Sequence, residues 1–357
     1  MNERKLRLLV VTQTVDKNDG VLGFFHRWIE VFSENFSSIK VVCLGKGAFD
    51  LPDNVSVFSL GKEEKELRIM NNELGKKARY GFRFVRQIVR MRNEYDAVFV
   101  HMNEEYVLLG GILWRLMGKK VMLWRNHKDG SFKTRLAVFL SHKVFCTSES
   151  SFTARYKKTV LMPVGIDTDF FDYNGEDDRK EILFLGRVAP IKRPHLFAES
   201  LVNLKNHGVE FTARIVGDHL SKDEVYSEEI IKSIDSAKLS DRVILERGVP
   251  YVETPKYYRR ALIHVNLTFS GSLDKTIFEA MSSGALPLIS NEYFKGKIDD
   301  MFVTRDEPKE IAEKLRNLLL LLDEQREDSR KSLRNFVEKE HSLKLLSERL
   351  VALVSTF

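Results

Sequence analysis

At 357 residues the chain exceeds what one ordinary hydrophobic core holds, so two domains are expected. A hydrophobic content of 43% with 30% charged residues excludes a disordered chain, and no apolar run reaches membrane-spanning length. The formal net charge of +6 is unevenly spread, roughly +8 over residues 1–174 and about −2 over the rest, so the first half is the one expected to face something anionic.

Leu6 to Thr12 is a continuous apolar run that reads as a strand buried on both faces and is too short for a signal-peptide core with its cleavage site. It leads into the polar loop TQTVDKNDG and a helix from about Val21 to Phe36, with Phe25, Trp28, Ile29 and Phe32 at helical spacing. Strands follow at Ile39–Leu44 and Val55–Leu60. Strand, loop, helix, strand implies a parallel sheet with right-handed crossovers. The loop with Gly20 and Gly23 then sits at the carboxyl edge of the first strand, where open α/β sheets bind ligands, although it is neither a GxGxxG fingerprint nor a Walker motif.

Residues 62–93 read as mostly helical. From Leu74 to Arg92 there are seven basic residues and no acid; Lys76, Arg79, Arg83, Arg86 and Arg90 form one stripe, with Phe82, Val85 and Val89 as an apolar stripe beside it. Such a helix suits an anionic membrane surface, and equally a helix packed on the sheet with its basic face in water. Strands are expected at Ala97–His101, Lys120–Trp124, Lys143–Thr147 and Val160–Met162, with His101 and His127 just past two strand ends. A histidine there touches a ligand in some proteins and is structural in more. Cys43 and Cys146 lie inside strand-like runs and read as buried thiols of a reducing compartment; no Cys or His spacing suggests a metal site.

The acidic, turn-prone YNGEDDRK (Tyr173–Lys180) reads as a linker, after which the α/β pattern restarts. Strands are expected at Ile182–Leu185, Phe211–Val216, Val243–Leu245, Ile263–Leu267 and Leu286–Ser290, and a helix at Pro194–His207. From Pro308 the chain reads as helical, the last segment being amphipathic over about Ser342–Val354. Within this half, Ser270–Pro287 (SGSLDKTIFEAMSSGALP) is a Ser- and Gly-rich turn opening into a helix, which leaves backbone N–H groups suited to an anion such as phosphate. It also fits an ordinary capped helix, with Asp274 as N-cap and Ser283–Gly284 as the stop. The expected architecture is α/β: two Rossmann-like domains with parallel sheets facing a central cleft.

The order of motifs resembles family 4 glycosyltransferases (glycosyl transferases group 1). ILFLGRVAPIKRPHLFAESL resembles the opening of their C-terminal domain, FTARIVGD the next strand with its Val-Gly turn, and VILERGVPYVETPKYYRRALIHVNLTFS the following block. SGSLDKTIFEAMSSGALPLIS is similar to their glutamate motif, and MPVGIDTDFF to their Pro-x-Gly-hydrophobic-Asp turn. The likeness is dense over residues 182–290 and loose over 1–150.

The resemblance implies a GT-B fold and transfer of a sugar from a nucleotide diphospho-sugar, UDP- or GDP-linked, with retention of configuration and no cofactor or metal. It implies an N-terminal acceptor domain over 1–172, a nucleotide-sugar domain over 173–340, and a helix over 341–357 crossing back. Without a metal the protein supplies the cations for the developing charge on the diphosphate. By the resemblance these are Arg187 and Lys192, with the N–H groups of Leu273, Asp274, Lys275 and Thr276 capping the phosphates and Ser272 also binding the donor. Glu279 matches the ribose-binding glutamate, Gly20 the glycine-rich loop, His127 a histidine near the transferred sugar, and Gly217 and Val249 the turns lining the donor. One departure stands out: the acid usually found eight residues before the glutamate is Gly271 here. The expected acceptor is a membrane lipid, a lipid-linked sugar or a polysaccharide, as in cell-envelope biosynthesis. The expected location is cytoplasmic, peripheral on the inner face of the membrane, with the basic stripe toward anionic lipid. A nucleotide-sugar epimerase or a non-catalytic nucleotide-sugar or polyanion binder on the same twin-Rossmann frame are the alternatives; no aromatic stacking platform suggests nucleic acid.

Overall fold

A computed structural model describes residues 5–65, 72–173, 175, 179–271 and 273–356. Ser272 and parts of the expected linker (174 and 176–178) lie outside the described residues. The chain forms two compact units, residues 1–165 with 343–357, and residues 166–342. The expected boundaries are 172/173 and 340/341; the units part a few residues to either side because 166–171 are built into the second one. There Ile166 bridges to Ser342, Phe171 is fully buried, and Arg334 donates to the carbonyls of Thr168 (3.1 Å) and Phe171 (3.0 Å).

The first unit runs β1 (Arg7–Val15), α1 (Gly23–Asn35), β2 (Ser38–Lys46), β3 (Val55–Ser59), α2 (Glu73–Arg90), β4 (Ala97–His101), α3 (Glu104–Leu116), β5 (Lys120–Trp124), α4 (Phe132–Leu140), β6 (Lys143–Cys146) and β7 (Thr159–Leu161). Its sheet has the order β3-β2-β1-β4-β5-β6-β7, every pairing parallel. A parallel sheet is covered on both faces, which is why its strands are continuously apolar. One face, with Leu8, Val10 and Phe99, packs on Phe25, Trp28 and Phe32 of α1 and on Leu346 and Leu350 of the chain's last helix (Leu343–Ser355). The other, with Leu9, Val11, Val98, Val100, Val121 and Leu123, is covered by α2, α3 and α4 through Phe84, Ile88, Val107, Trp114 and Ala137. Both cysteines are buried, and burial pushes the Cys43 thiol up to about 12.

Gly165 ends this unit in a left-handed conformation (φ 76°), and its carbonyl accepts from Trp28 Nε1 at 2.8 Å. A Cβ there would lie 2.5 Å from Leu346 and 2.6 Å from Trp28, so the glycine of the MPVGID turn is required twice over.

The second unit runs β8 (Glu181–Leu185), α5 (Pro194–Asn206), β9 (Thr212–Val216), α6 (Glu224–Ser236), β10 (Val243–Glu246), α7 (Thr254–Arg260), β11 (Ala261–Asn266), α8 (Lys275–Ser282), β12 (Leu286–Ile289), α9 (Pro308–Leu319) and α10 (Asp323–His341). The sheet order is β10-β9-β8-β11-β12, again wholly parallel. The order reverses direction between β8 and β11, the kind of switch point at whose carboxyl edge α/β proteins bind ligands.

Candidate active site

Four loops leave the carboxyl edge of the second sheet, and those after β8, β9 and β10 are laced together by backbone. Gly186 N–H donates to the Val216 carbonyl (3.0 Å), Val188 N–H to that of Asp218 (3.0 Å) and Gly217 N–H to that of Glu246 (3.0 Å). The approach of the first two loops is so close that a Cβ on Gly217 would sit 1.9 Å from the Gly186 carbonyl oxygen. Beside them, Val249 follows Gly248, whose own Cβ would meet the Asp218 carboxylate at 2.8 Å. Gly217 and Val249 thus stand on adjoining loops of one edge.

The β8 loop carries Arg187 and Lys192. Arg187 is exposed and makes no hydrogen bond or ion pair to a described residue. Lys192 ends a short 3-10 turn, and the next residue, Arg193, takes a left-handed conformation (φ 54°) before Pro194 opens α5. The Arg193 guanidinium lies 3.1 Å from the centre of the Phe269 ring and pairs with Asp306, which fixes the turn against the β11 loop.

Lys192 and the β11 loop meet at Asp274. One Asp274 oxygen accepts from Lys192 Nζ, from Asn266 Nδ2 at 2.9 Å and from Thr268 Oγ1 at 3.2 Å. The other accepts from Thr276 N–H at 3.4 Å, so Asp274 is also the N-cap of α8, as the capped-helix reading expects. Burial by itself would raise this carboxyl; Lys192 and the hydrogen bonds from Asn266 and Thr276 outweigh it and hold the group well below the usual carboxylate range. Asn266 Nδ2 also donates to Thr276 Oγ1 at 2.9 Å, stapling the end of β11 to the helix start.

The cap modifies one expectation. The Thr276 N–H and, at 3.3 Å, the Ile277 N–H are taken by Asp274 itself, so the Thr276 N–H offered to a phosphate is already engaged. Leu273 is buried in the same loop. Gly271 is buried with φ 125°, a conformation that suits only glycine.

Glu279 lies one turn into α8, 4% exposed, and accepts from the Tyr258 hydroxyl at 3.1 Å. Burial pushes its carboxyl up, against the pull of Lys275 one turn away and of Tyr258. Burial pushes the Lys275 ammonium down, against Glu279 and Asp274. The two lie one helical turn apart at the helix start. His264, completely buried on β11 with Tyr258 edge-on at 5.5 Å, is driven down to about 4 by burial despite Asp274, and is a neutral ring at pH 7. Ser283 and Gly284 end the helix, Gly284 at φ 80°.

Gly20 and His127 belong to the first unit. Gly20 is exposed in the turn after β1; there Asp19 accepts from the N–H groups of Val21 (2.8 Å) and Leu22 (2.7 Å), so the turn that leads into α1 is held by a carboxylate. His127 is exposed after β5, and its Nδ1 lies 3.0 Å from the Asp129 backbone nitrogen and 3.1 Å from the Asp129 carbonyl. Beneath that loop Arg125 pairs with Glu104 at 2.6 Å, and Glu104 also accepts from Thr134 Oγ1 at 3.1 Å. His101, by contrast, is core: its ring stacks on Phe25 at 4.0 Å and Nδ1 lies 3.3 Å from Thr12 Oγ1.

The basic stripe on α2 is only partly as expected. Lys76 pairs with Glu73 (2.9 Å), and Arg83 is drawn down onto Glu64 (2.8 and 3.0 Å) and the Leu60 carbonyl (2.8 Å). Arg79, Arg86 and Arg90 are exposed. The buried apolar face is Phe84 and Ile88, while Phe82, expected on the apolar stripe, is 68% exposed.

Two parallel α/β units, the second with its cation-bearing loop and helix start at the carboxyl edge, have the GT-B fold. Residues 165–336 match the family described as glycosyl transferases group 1. No curated protein sequence matches the chain. Among solved structures it is similar to Anabaena Alr3699/HepE in complex with UDP and glucose (17% identity, TM-score 0.75, 99% of this chain and 100% of that one). It is also similar to a sucrose-phosphate synthase from Thermosynechococcus elongatus (13%, TM-score 0.74, 99% of each chain). A third is the lipopolysaccharide outer core galactosyltransferase WaaB in its apo form (14%, TM-score 0.64, 99% and 100%).

Asn266, Thr268, Tyr258 and His264 were not singled out by sequence. The signal for the first two is their polar character within the apolar run ALIHVNLTFS, at the end of a strand leading to the glutamate motif.

Proposed function

We propose that this chain is a retaining glycosyltransferase that moves a sugar from a UDP- or GDP-linked donor to a lipid, lipid-linked or polysaccharide acceptor. The observation that carries the reading is the meeting of Lys192 with the start of α8 on Asp274, within the family-matched domain. A diphosphate leaving here gains negative charge as the glycosidic bond breaks. Arg187, with no competing partner among the described residues, and Lys192, with protons left to donate, are the cations available to it. Glu279 would accept from the ribose hydroxyls, with Gly217 and Val249 lining the donor; by the resemblance, Gly20 and His127 also have donor roles. UDP is favoured as the nucleotide because HepE, which shares the fold, was solved with UDP. Retention and the absence of a required metal are carried from the family resemblance.

The acceptor is read as lipid-borne or a growing glycan, and the location as cytoplasmic, peripheral on the inner membrane face. No described helix is long and apolar enough to cross a membrane. A non-catalytic nucleotide-sugar binder is the second reading, favoured by Gly271 in place of the sugar-binding acid.

Thermal-shift screening of UDP-, GDP- and other nucleotide sugars, followed by radiolabelled transfer to membrane extract with the hit, tests both. A rise in melting temperature with a UDP-sugar and label in the extract is expected. A melting shift with no transfer supports the binder, and no shift with any nucleotide overturns the donor site.

A further inference from the structure

We propose that the outer face of α2, α3 and α4 is a docking surface for an anionic lipid bilayer. The proposal rests on the peripheral-membrane part of the reading above and not on the transferase chemistry. The three helices lie side by side on one face of the first sheet. A Cβ on Gly81 of α2 would come 4.0 Å from Leu109 of α3, and Arg115 of α3 donates to the Leu140 carbonyl of α4 at 3.2 Å. Their inward stripes are buried in the core, as any such helix requires. Their outward stripes should then be polar, and on α3 and α4 they are not.

On α3 the outward positions Leu109, Ile112 and Leu116 are 47%, 60% and 80% exposed. On α4 Phe132 and Phe139 are 79% and 72% exposed, and on α2 Phe82 is 68% exposed. On α3 and α4 these recur at spacings of three, four or seven, so both helices are apolar on their buried and their outward sides, and Phe82 of α2 adds to them. Single exposed apolar residues are ordinary, whereas large ones gathered on neighbouring helices mark an interaction surface.

Charge selects the occupant. Over the residues of these helices the sequence holds nine Lys or Arg against three Glu, a net +6 that equals the formal charge of the whole chain. One of the three acids, Glu104, is buried and paired inward with Arg125. Arg79, Arg86, Arg90, Lys133 and Arg135 are exposed among the apolar side chains. A second copy of this chain would bring one +6 face against another. A nucleic acid would satisfy the cations and leave the leucines and phenylalanines in water. An anionic bilayer interface takes both, headgroup phosphates for the cations and the acyl boundary for the apolar side chains. This differs from the expected electrostatic stripe on α2, two of whose five cations are held by Glu73 and Glu64.

The test is co-sedimentation of the full chain with vesicles of phosphatidylcholine alone and with roughly a third phosphatidylglycerol. Partitioning at least tenfold stronger to the anionic vesicles is expected. Each exposed cation near such a surface contributes roughly fivefold, so Arg79→Gln/Arg86→Gln/Arg90→Gln should lower partitioning by roughly a hundredfold at low salt. Ile112→Asp/Phe139→Asp should lower it at least tenfold and abolish the part that survives high salt. Both variants should keep the native circular-dichroism spectrum and any nucleotide-dependent melting shift, so loss of lipid binding is read separately from loss of the donor site. The proposal is overturned by native protein that stays in the supernatant with anionic vesicles, by variants that bind as well as native, or by a dimer that forms through this face without lipid binding.

Discussion

Replacing Asp274 by alanine isolates the interaction on which the candidate site turns. The carboxylate side chain is 13% exposed and that of Lys192 20%, and three of the donors converge on a single oxygen. Removing one partner of a fully buried ion pair costs about 3–5 kcal/mol; with water reaching part of this one, about 2–3 kcal/mol is expected, a large share of the stability of an ordinary domain. Asparagine keeps the shape and loses the charge, for about 1–2 kcal/mol. Urea unfolding followed by far-ultraviolet circular dichroism reads the effect. At a slope of roughly 2 kcal/mol per molar for a unit of this size, the alanine variant's midpoint for the second unit should fall by about 1 M. Trp28, Trp114 and Trp124 all lie in the first unit, so their fluorescence should report an unmoved transition and serves as the control. The pH dependence has a fixed sign. The folded carboxyl titrates below its unfolded value, near 4, so its contribution is present above about pH 4 and is lost as the pH falls further; the asparagine variant should lack that acid-side loss. An alanine variant that unfolds at the wild-type midpoint refutes the assignment of Asp274 as the anchor of Lys192.

Two further substitutions separate chemistry from stability. Arg187→Ala removes an exposed side chain without a described partner, so melting should be unchanged while nucleotide-induced stabilisation shrinks and transfer falls by roughly 10²–10³-fold; wild-type transfer would remove Arg187 from the site. Gly217→Ala places a Cβ 1.9 Å from the Gly186 carbonyl oxygen, which neither backbone can absorb, so a loss of about 3 kcal/mol or more is expected in thermal melts, and a wild-type melting temperature would contradict the close approach of the two loops.

Much of this was legible in the sequence because both sheets are parallel. Strands such as Ala97–His101 and Lys120–Trp124 are covered on both sides, so they appear as uninterrupted apolar runs with sharp ends. Helices α3 and α4 were not marked out, and the reason is physical. Leu109, Ile112, Leu116, Phe132 and Phe139 put apolar residues on the outward side, which erases the polar–apolar alternation by which a surface helix is read. On α2 the spacing of the cations was correct, but spacing says nothing of partners: Glu64 lies 19 residues before Arg83 and takes it up. The same limit hid the Lys192–Asp274 pair, whose members are 82 residues apart and meet only because β8 and β11 are neighbours in the sheet.

That neighbourhood also bears on how the proposed donor site differs from the pattern it resembles. A carboxylate eight residues before Glu279 would have to sit at Gly271, where φ is 125° and a side chain would strain the backbone by about 1–3 kcal/mol. The nearest acid is instead Asp274, and its lone pairs are already engaged by Lys192, Asn266, Thr268 and the α8 backbone. It therefore has little capacity left to accept from a sugar hydroxyl, and it serves the cation. An ammonium has three protons, so Lys192 can keep its bond to Asp274 and still donate to a phosphate oxygen. In this arrangement Asp274 aims Lys192, and on the proposed function its charge would be used at the diphosphate end of the donor. Recognition of the sugar would then fall to groups other than the acid that the resemblance leads one to expect.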